Sequence, residues 1–320
     1  MKNLIKKTEQ VGVASFAVTM GFCGLCFAWR QAVLLWEMPA WIQAVFGAAA
    51  VVSYVTIFYL YIMKMVFYPH AVKEEWEHPI TCCFFGTFTV STTLIAAVIG
   101  PYWRQGAAIL WWVSIILILF FAWAVLTHWL LHRQRNQDVA PGWLLPVLGP
   151  ITIPVAGNLL KEPGYHDIAV FCTSIGIVVS IPVVTLLLGR LIIGKPLADG
   201  AQASVMVLMA PFGMGYLAYT QTFGNDIFSM VFICMGMFLF PPIVIRILHS
   251  LRSQSFHMGW WAMGFPFMAF TNGIMKLTLF YNVWWNQIMS SVLLGAGTML
   301  ILFLAGKTSG CIYRKLHADK

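Results

Sequence analysis

Four basic side chains in this sequence, Arg30, Arg104, Lys161 and Lys276, stand where they could draw in an anion. Each lies at the end of an apolar stretch interrupted by glycine or proline, on the side opposite to the other fifteen of the nineteen lysines and arginines. A ring of positive charge at such a mouth raises the local anion concentration. Taken singly, each also fits an ordinary interfacial residue whose stem lies in lipid and whose head reaches water. The eleven acidic residues all fall in loops or tails. Cation pathways and proton relays place Asp or Glu inside the spans, so anions or neutral solutes remain as the cargo. The eight histidines also sit at stretch ends or in loops, without the spacing of haem or metal ligands, and no nucleophile elbow or phosphate loop is present. These absences point away from an enzyme, a cofactor, a metal or a catalytic residue. No stretch carries the regularly spaced arginines of a voltage sensor. Cys23 and Cys26 form a C-x-x-C inside an apolar stretch, where small packing residues are the plainer reading than a redox pair.

The other candidate is aromatic. Phe256 to Tyr281 reads FHMGWWAMGFPFMAFTNGIMKLTLFY, long and apolar enough to cross a membrane, with Pro266 between Phe265 and Phe267. A proline inside a helix lacks the backbone donor and crowds the preceding turn, so a kink is expected there. Lipid penalises freed backbone groups, which places this helix towards the protein interior with Phe265 as a pore-blocking side chain. If the helix starts near Gly259, Phe265 lies about 9 Å into the membrane at 1.5 Å per residue. Pro150 and Pro211 are expected to kink their own helices in the same way, and Phe16, Phe85, Phe88 and Phe212 are further candidates for pore-lining aromatics.

The elements that must position these residues follow from composition. With 60% hydrophobic and 9% charged residues and a mean hydropathy of +0.81, the 320-residue chain is an integral membrane protein. Ten apolar segments are expected, near 10–29, 41–63, 79–100, 106–131, 141–160, 166–189, 203–221, 227–248, 257–280 and 284–306. They are apolar on all faces, unlike barrel strands, so the fold class is all-α. The odd segments carry most of the glycines and prolines, and the prolines recur at 62, 61 and 55 residues (Pro79 to Pro141, Pro150 to Pro211, Pro211 to Pro266), a weak hairpin repeat. The expectation is five hairpins, with interrupted helices inside smooth ones, around a central pore. One transmembrane domain covers 1–320, with short cytoplasmic tails at about 1–9 and 308–320. The net charge of +8 is a topology signal and not a nucleic-acid surface. The basic residues make both termini and 64–78, 132–140, 190–200 and 249–256 cytoplasmic. The N-terminal MKNLIKKTEQ has no small-residue cleavage site before its apolar run, so the first helix is expected to stay.

The runs GFCGLCFAWR, FYPHAVKEEWEHP, the proline-rich PGWLLPVLGPITIPVAG, MAPFGMGYLAY and SFHMGWWAMGFP, taken in order, resemble the tellurite-resistance and dicarboxylate transporter family, which includes plant slow-type anion channels. The resemblance implies a ten-helix bundle in the inner (plasma) membrane, a homotrimer, and passive conduction of small inorganic or organic anions. It also implies a helix-9 phenylalanine gate, which falls on Phe265. Relatives commonly carry a Pro and a Phe-Gly early in helix 1, where this chain has no proline and reads Phe16-Ala17. Alternatives are a carrier for mono- or dicarboxylates such as malate, and export of tellurite- or sulfite-like oxyanions.

Overall fold

Apolar stretches of about 20 residues can satisfy their backbone in lipid only as helices, and every regular element among the described residues is helical. The structure is a computed structural model that describes residues 8–160, 162–252 and 254–317, those at 199 and 315–317 by backbone alone. The expectations for Lys161, and for the tail residues before 8 and after 317, concern positions outside the described residues. The long helices are α1 (Val13–Trp36), α2 (Ala40–Phe67), α3 (Thr81–Ile99), α4 (Arg104–Leu131), α5 (Pro141–Gly157), α6 (Tyr165–Ile193), α7 (Gly200–Thr222), α8 (Ile227–Leu251), α9 (258–280) and α10 (Trp284–His317). A short helix, Pro69–Glu77, lies between α2 and α3. Eight of these are long and apolar enough to cross a membrane. The proline-rich α5 is apolar but shorter, and α9, which carries Asn272 and Lys276, is not among the eight. The last helix runs well past the expected end at 306.

The interrupted helices share a construction that composition does not announce. Each of α1, α3, α5, α7 and α9 begins as a 3-10 helix and then relaxes into α winding: at Phe16–Ala17, Phe84–Phe85, Trp143–Leu144, Met209–Ala210 and Met263–Gly264. This replaces the expected interior kinks at two positions. Pro211 is the second α-helical residue of α7, and Pro266 is the third of α9. In a first turn the missing N–H costs little, because that donor has no regular partner there. Pro150, in contrast, is truly interior, as is Pro154.

Burial separates two populations. In the membrane-length window, 78% of α3 and 89% of α7 are buried, against 17% of α2 and 22% of α8. The α-helical parts of the interrupted set pack in a closed cycle, α1 on α3, α3 on α5, α5 on α7, α7 on α9, and α9 back on α1. The exposed face of the other set is aliphatic and aromatic, with Val52, Ile116, Val178 and Phe238 outward and Trp41, Trp103 and Trp284 near helix ends, as a lipid-facing surface requires. Buried hydroxyls do not disturb this interior, because they bond to carbonyls. Thr92 and Thr93 donate one turn back within α3, while Thr87 and Ser91 donate to Val13 and Phe16 in the 3-10 start of α1.

The cycle closes most tightly between α7 and α9. A Cβ added to Gly213 would stand 2.5 Å from the Ala269 carbonyl oxygen and 2.6 Å from the Phe270 Cα, so backbone meets backbone and no side chain can give way. Gly213→Ala is therefore expected to destabilise the fold by about 1–3 kcal/mol as an overpacking change. Gly189→Ala on α6, with nothing within 4 Å of the new atom, is the neutral control. Thermal melting of the two purified variants checks this, and equal melting would remove the close approach.

At the end where α1 begins, a buried ion pair fastens three segments. Lys64, on α2, donates to Glu75 Oε1 at 2.8 Å and to the Val11 carbonyl at 3.0 Å, and the Tyr61 hydroxyl donates to Glu75 Oε2 at 2.8 Å. The side chains of Lys64 and Glu75 are 3% and 15% exposed. The short helix Pro69–Glu77 is thereby pinned to the entry of α1.

Candidate functional site

Two cavities lie along the axis of the cycle, and their described lining residues come from α1, α3, α5, α7 and α9, with Asn158 and Leu159 from the turn just after α5. The first, about 40 Å³, surrounds the change from 3-10 to α winding, with Ala17, Phe84, Leu145, Ala210, Trp261 and Pro266 among its walls. A water needs about 10–15 Å³ of such space, so there is room here for only a few. Among the described residues no charged side chain lines it, and its two hydroxyls, Thr87 and Thr152, are committed to carbonyls. The second cavity, about 190 Å³, lies toward the helix ends. Phe265 and Met214 are the two residues that line both. Phe265 is 7% exposed, and its ring lies 3.6 Å from where a Cβ on Gly24 would be. Because Met258–Met263 is 3-10 wound, rising about 2.0 Å per residue, Phe265 stands about 11 Å beyond Gly259 instead of the 9 Å of pure α winding.

The second cavity is positive. Arg30 and Lys276 line it, with no Asp or Glu among its described residues. Arg30 reaches Gln43 Oε1 and the Ala97 carbonyl at 3.3 Å each and lies over the Phe27 ring. Lys276 stands 4.9 Å from the Phe280 ring centroid. The neutral amides are largely occupied: Asn272 donates to the Gly24 carbonyl at 2.9 Å and accepts from Gln31 at 2.7 Å, stitching α9 to α1. Two amide oxygens in the wall, on Gln31 and Gln221, are enclosed with no donor among the described residues.

Of the other sequence candidates, Arg104 belongs to neither cavity. It donates to the Leu160 carbonyl at 2.7 Å and approaches Glu162 at 3.9 Å, holding the end of α5. Pro150 also lies off both linings, although its neighbour Gly149 lines the first. The four aromatic candidates are corrected as a group: Phe16, Phe85, Phe88 and Phe212 line neither cavity. Phe16 packs on Tyr54, Tyr61 and Phe88, Phe85 on Tyr61 and Trp76, and Phe88 on Phe58, all toward α2 and the short helix. Phe212 faces Gly236 of α8. The reason is angular. Each sits one or two residues from a lining position (Ala17, Phe84, Thr87, Met214), and one residue turns an α-helix by about 100°.

What sequence reasoning missed was recoverable by the same angle. Stepping from Phe265 by four, seven, eleven and fourteen residues gives Ala269, Asn272, Lys276 and Leu279, and stepping from Met20 gives Gly24, Phe27, Gln31 and Leu34, all of them lining residues. Met214 is found likewise from Ala210, followed by Leu217 and Gln221. Cys23 and Cys26, off that face, are buried, with the Cys26 sulfur 3.3 Å from where a Cβ on Gly47 of α2 would be.

The sequence profile of the SLAC1 family, described as voltage-dependent anion channel, matches residues 10–309. The chain belongs to this family. Among SLAC1-type relatives, the sulfite efflux pump SSU1 of Trichophyton rubrum is 24% identical over 83% of this chain and 81% of its own length. The tellurite resistance protein TehA homolog of Haemophilus influenzae is 22% identical over 87% of this chain and 84% of its own. The S-type anion channel SLAH3 of Arabidopsis thaliana is 21% identical over 91% of this chain but 47% of its own length. The family resemblance drawn from the sequence therefore holds, and SLAC1 membership makes the chain a membrane protein of an anion channel and transporter family.

Proposed function

We propose that this chain is a passive anion channel of the inner (plasma) membrane, its ten helices spanning the bilayer as five hairpins around a central pore, with both termini cytoplasmic and three copies to an assembly. The observation that carries the reading is the pair of cavities walled by the interrupted helices and the turn after α5, the wider of them holding Arg30 and Lys276 with no carboxylate among its described residues, and both ending at Phe265. Two fixed positive charges in a partly enclosed space favour an anion and repel a cation. The apolar constriction then acts as the barrier, since an ion cannot pass where its water is excluded.

Unitary currents in a planar bilayer under a salt gradient test this. The reversal potential should follow the anion, and current carried by the cation would sink the reading. Lys276→Glu is expected to lower anion current at low salt by about fivefold or more, from a change of two unit charges about 8 Å from the ion path, even at a dielectric near that of water. The deficit should shrink as salt rises. Arg104→Gln is expected to leave current per channel unchanged and only to loosen the end of α5.

A second reading, coupled or uncoupled export of a sulfite-like oxyanion, is favoured by the name of the fungal relative. Flux that saturates with substrate, with no resolvable unitary current, would select it.

A further inference from the structure

A third cavity lies outside the cycle, where α6 and α8 end beside the 3-10 start of α7, and nothing in the proposed conduction path uses it. It is an open groove of about 800 Å³ and draws Lys195 from the segment after α6, Arg246 and His249 from α8, and Gln202 from the entry of α7. No carboxylate lines it among the described residues. Arg246 is half-buried, and its Nε is enclosed without an acceptor. A guanidinium lining a cavity with no carboxylate among the described residues gains from an anionic acceptor placed there. Lys195 and His249 are exposed at the rim.

The remaining walls indicate where such a ligand comes from. Leu191 and the exposed Ile245 line the cavity, and Ile192, Ile193 and Leu248 carry the same apolar surface outward, each more than half exposed. The cavity therefore straddles the boundary between lipid-facing aliphatic surface and a basic rim, on the side that the distribution of lysine and arginine makes cytoplasmic. The anions concentrated at that boundary are phosphoryl groups. We propose that this cavity binds a phosphoryl anion, the headgroup of an anionic phospholipid, with the Arg246 guanidinium as its main contact, Lys195 and His249 at its rim, and acyl chains along Ile245. Gln202 stands in the same 3-10 run as Val207, which lines the first pore cavity, so an occupied headgroup site braces the entry of an inner helix.

Native mass spectrometry of the full chain in detergent, titrated with phosphatidylglycerol and separately with phosphatidylcholine, tests the site. Wild type is expected to retain phosphatidylglycerol preferentially. Lys195→Gln, in an exposed segment where folding is not at issue, should weaken retention about fivefold, and Arg246→Gln with Lys195→Gln about twenty-five-fold, at roughly one factor of five per charge near the surface. Millimolar inorganic phosphate should not displace the lipid. Displacement by phosphate would assign the site to a soluble anion and overturn the lipid. Equal retention by wild type and Lys195→Gln, or no preference over phosphatidylcholine, would overturn the site altogether. Gel filtration shows whether the double variant is folded, and the single variant carries the test if it is not.

Discussion

Phe265→Ala should raise unitary anion current by about tenfold or more, the gain expected when an apolar plug is exchanged for a wetted passage. The side chain is the shared wall of a cavity of about 40 Å³ and another of about 190 Å³. Truncation to Ala removes the phenyl ring that forms the wall common to both, which joins the two. Conductance should fall in the order Ala, Leu, Phe at this position, because a hydrophobic constriction rewets as it widens. Met214 lines both cavities as well, but its thioether is flexible and yields to a passing ion more readily than a ring does. Met214→Ala is accordingly expected to have the smaller effect. Loss of a well-packed phenylalanine typically costs about 3–5 kcal/mol. Here the ring already borders open space, so the melting temperature should fall by less than that cost implies. Folded Phe265→Ala protein with unchanged unitary current would sink the gate, and a large loss of stability without added current would make Phe265 a packing residue.

Lys64→Met is expected to have the largest effect on stability, a loss of about 3–5 kcal/mol, because it leaves the Glu75 carboxylate enclosed without its cation. The Tyr61 hydroxyl would remain on Glu75 Oε2, while Oε1 and the Val11 carbonyl would both lose the ammonium donor. Glu75→Gln in the same background should restore part of the loss, since a neutral amide tolerates the site that a lone carboxylate does not. Thermal melting of wild type, both single variants and the double gives the coupling directly. A Lys64→Met protein that melts within about 1 kcal/mol of wild type would show the pair to be solvated, as exposed pairs are.

Lys64 also marks where sequence reading stops. Among the basic residues on its side of the chain it reads simply as one more charge at a helix end, like Lys73. Yet Lys73 is exposed beside Glu77, whereas Lys64 is enclosed. Composition cannot separate them, because the difference lies in what Glu75 and Val11 bring from other segments. The helices themselves were legible, since an apolar run of about 20 residues hides its backbone from lipid only as a helix, and the inward placement of Phe265 was legible from the proline beside it. Its neighbours follow the helical angle and not the aromatic residue type, so Phe84 and Met214 line the cavities where Phe85 and Phe212 do not. The 3-10 starts were hidden for another reason. Both windings accept the same apolar residues, and only contacts such as those of Thr87 and Ser91 with the carbonyls of α1 settle which one forms.

Those starts have a mechanical meaning. A 3-10 residue advances about 2.0 Å and turns 120°, an α residue about 1.5 Å and 100°. Moving one junction by a single residue therefore twists the upstream strand of the helix by about 20° and draws it in by about 0.5 Å, as a screw does when its thread changes pitch. On the proposed reading, a junction in each of five neighbouring helices, all close to the same narrow cavity, would let the passage change width mainly by rotation. Such an iris would need only about half an ångström of axial travel per residue converted.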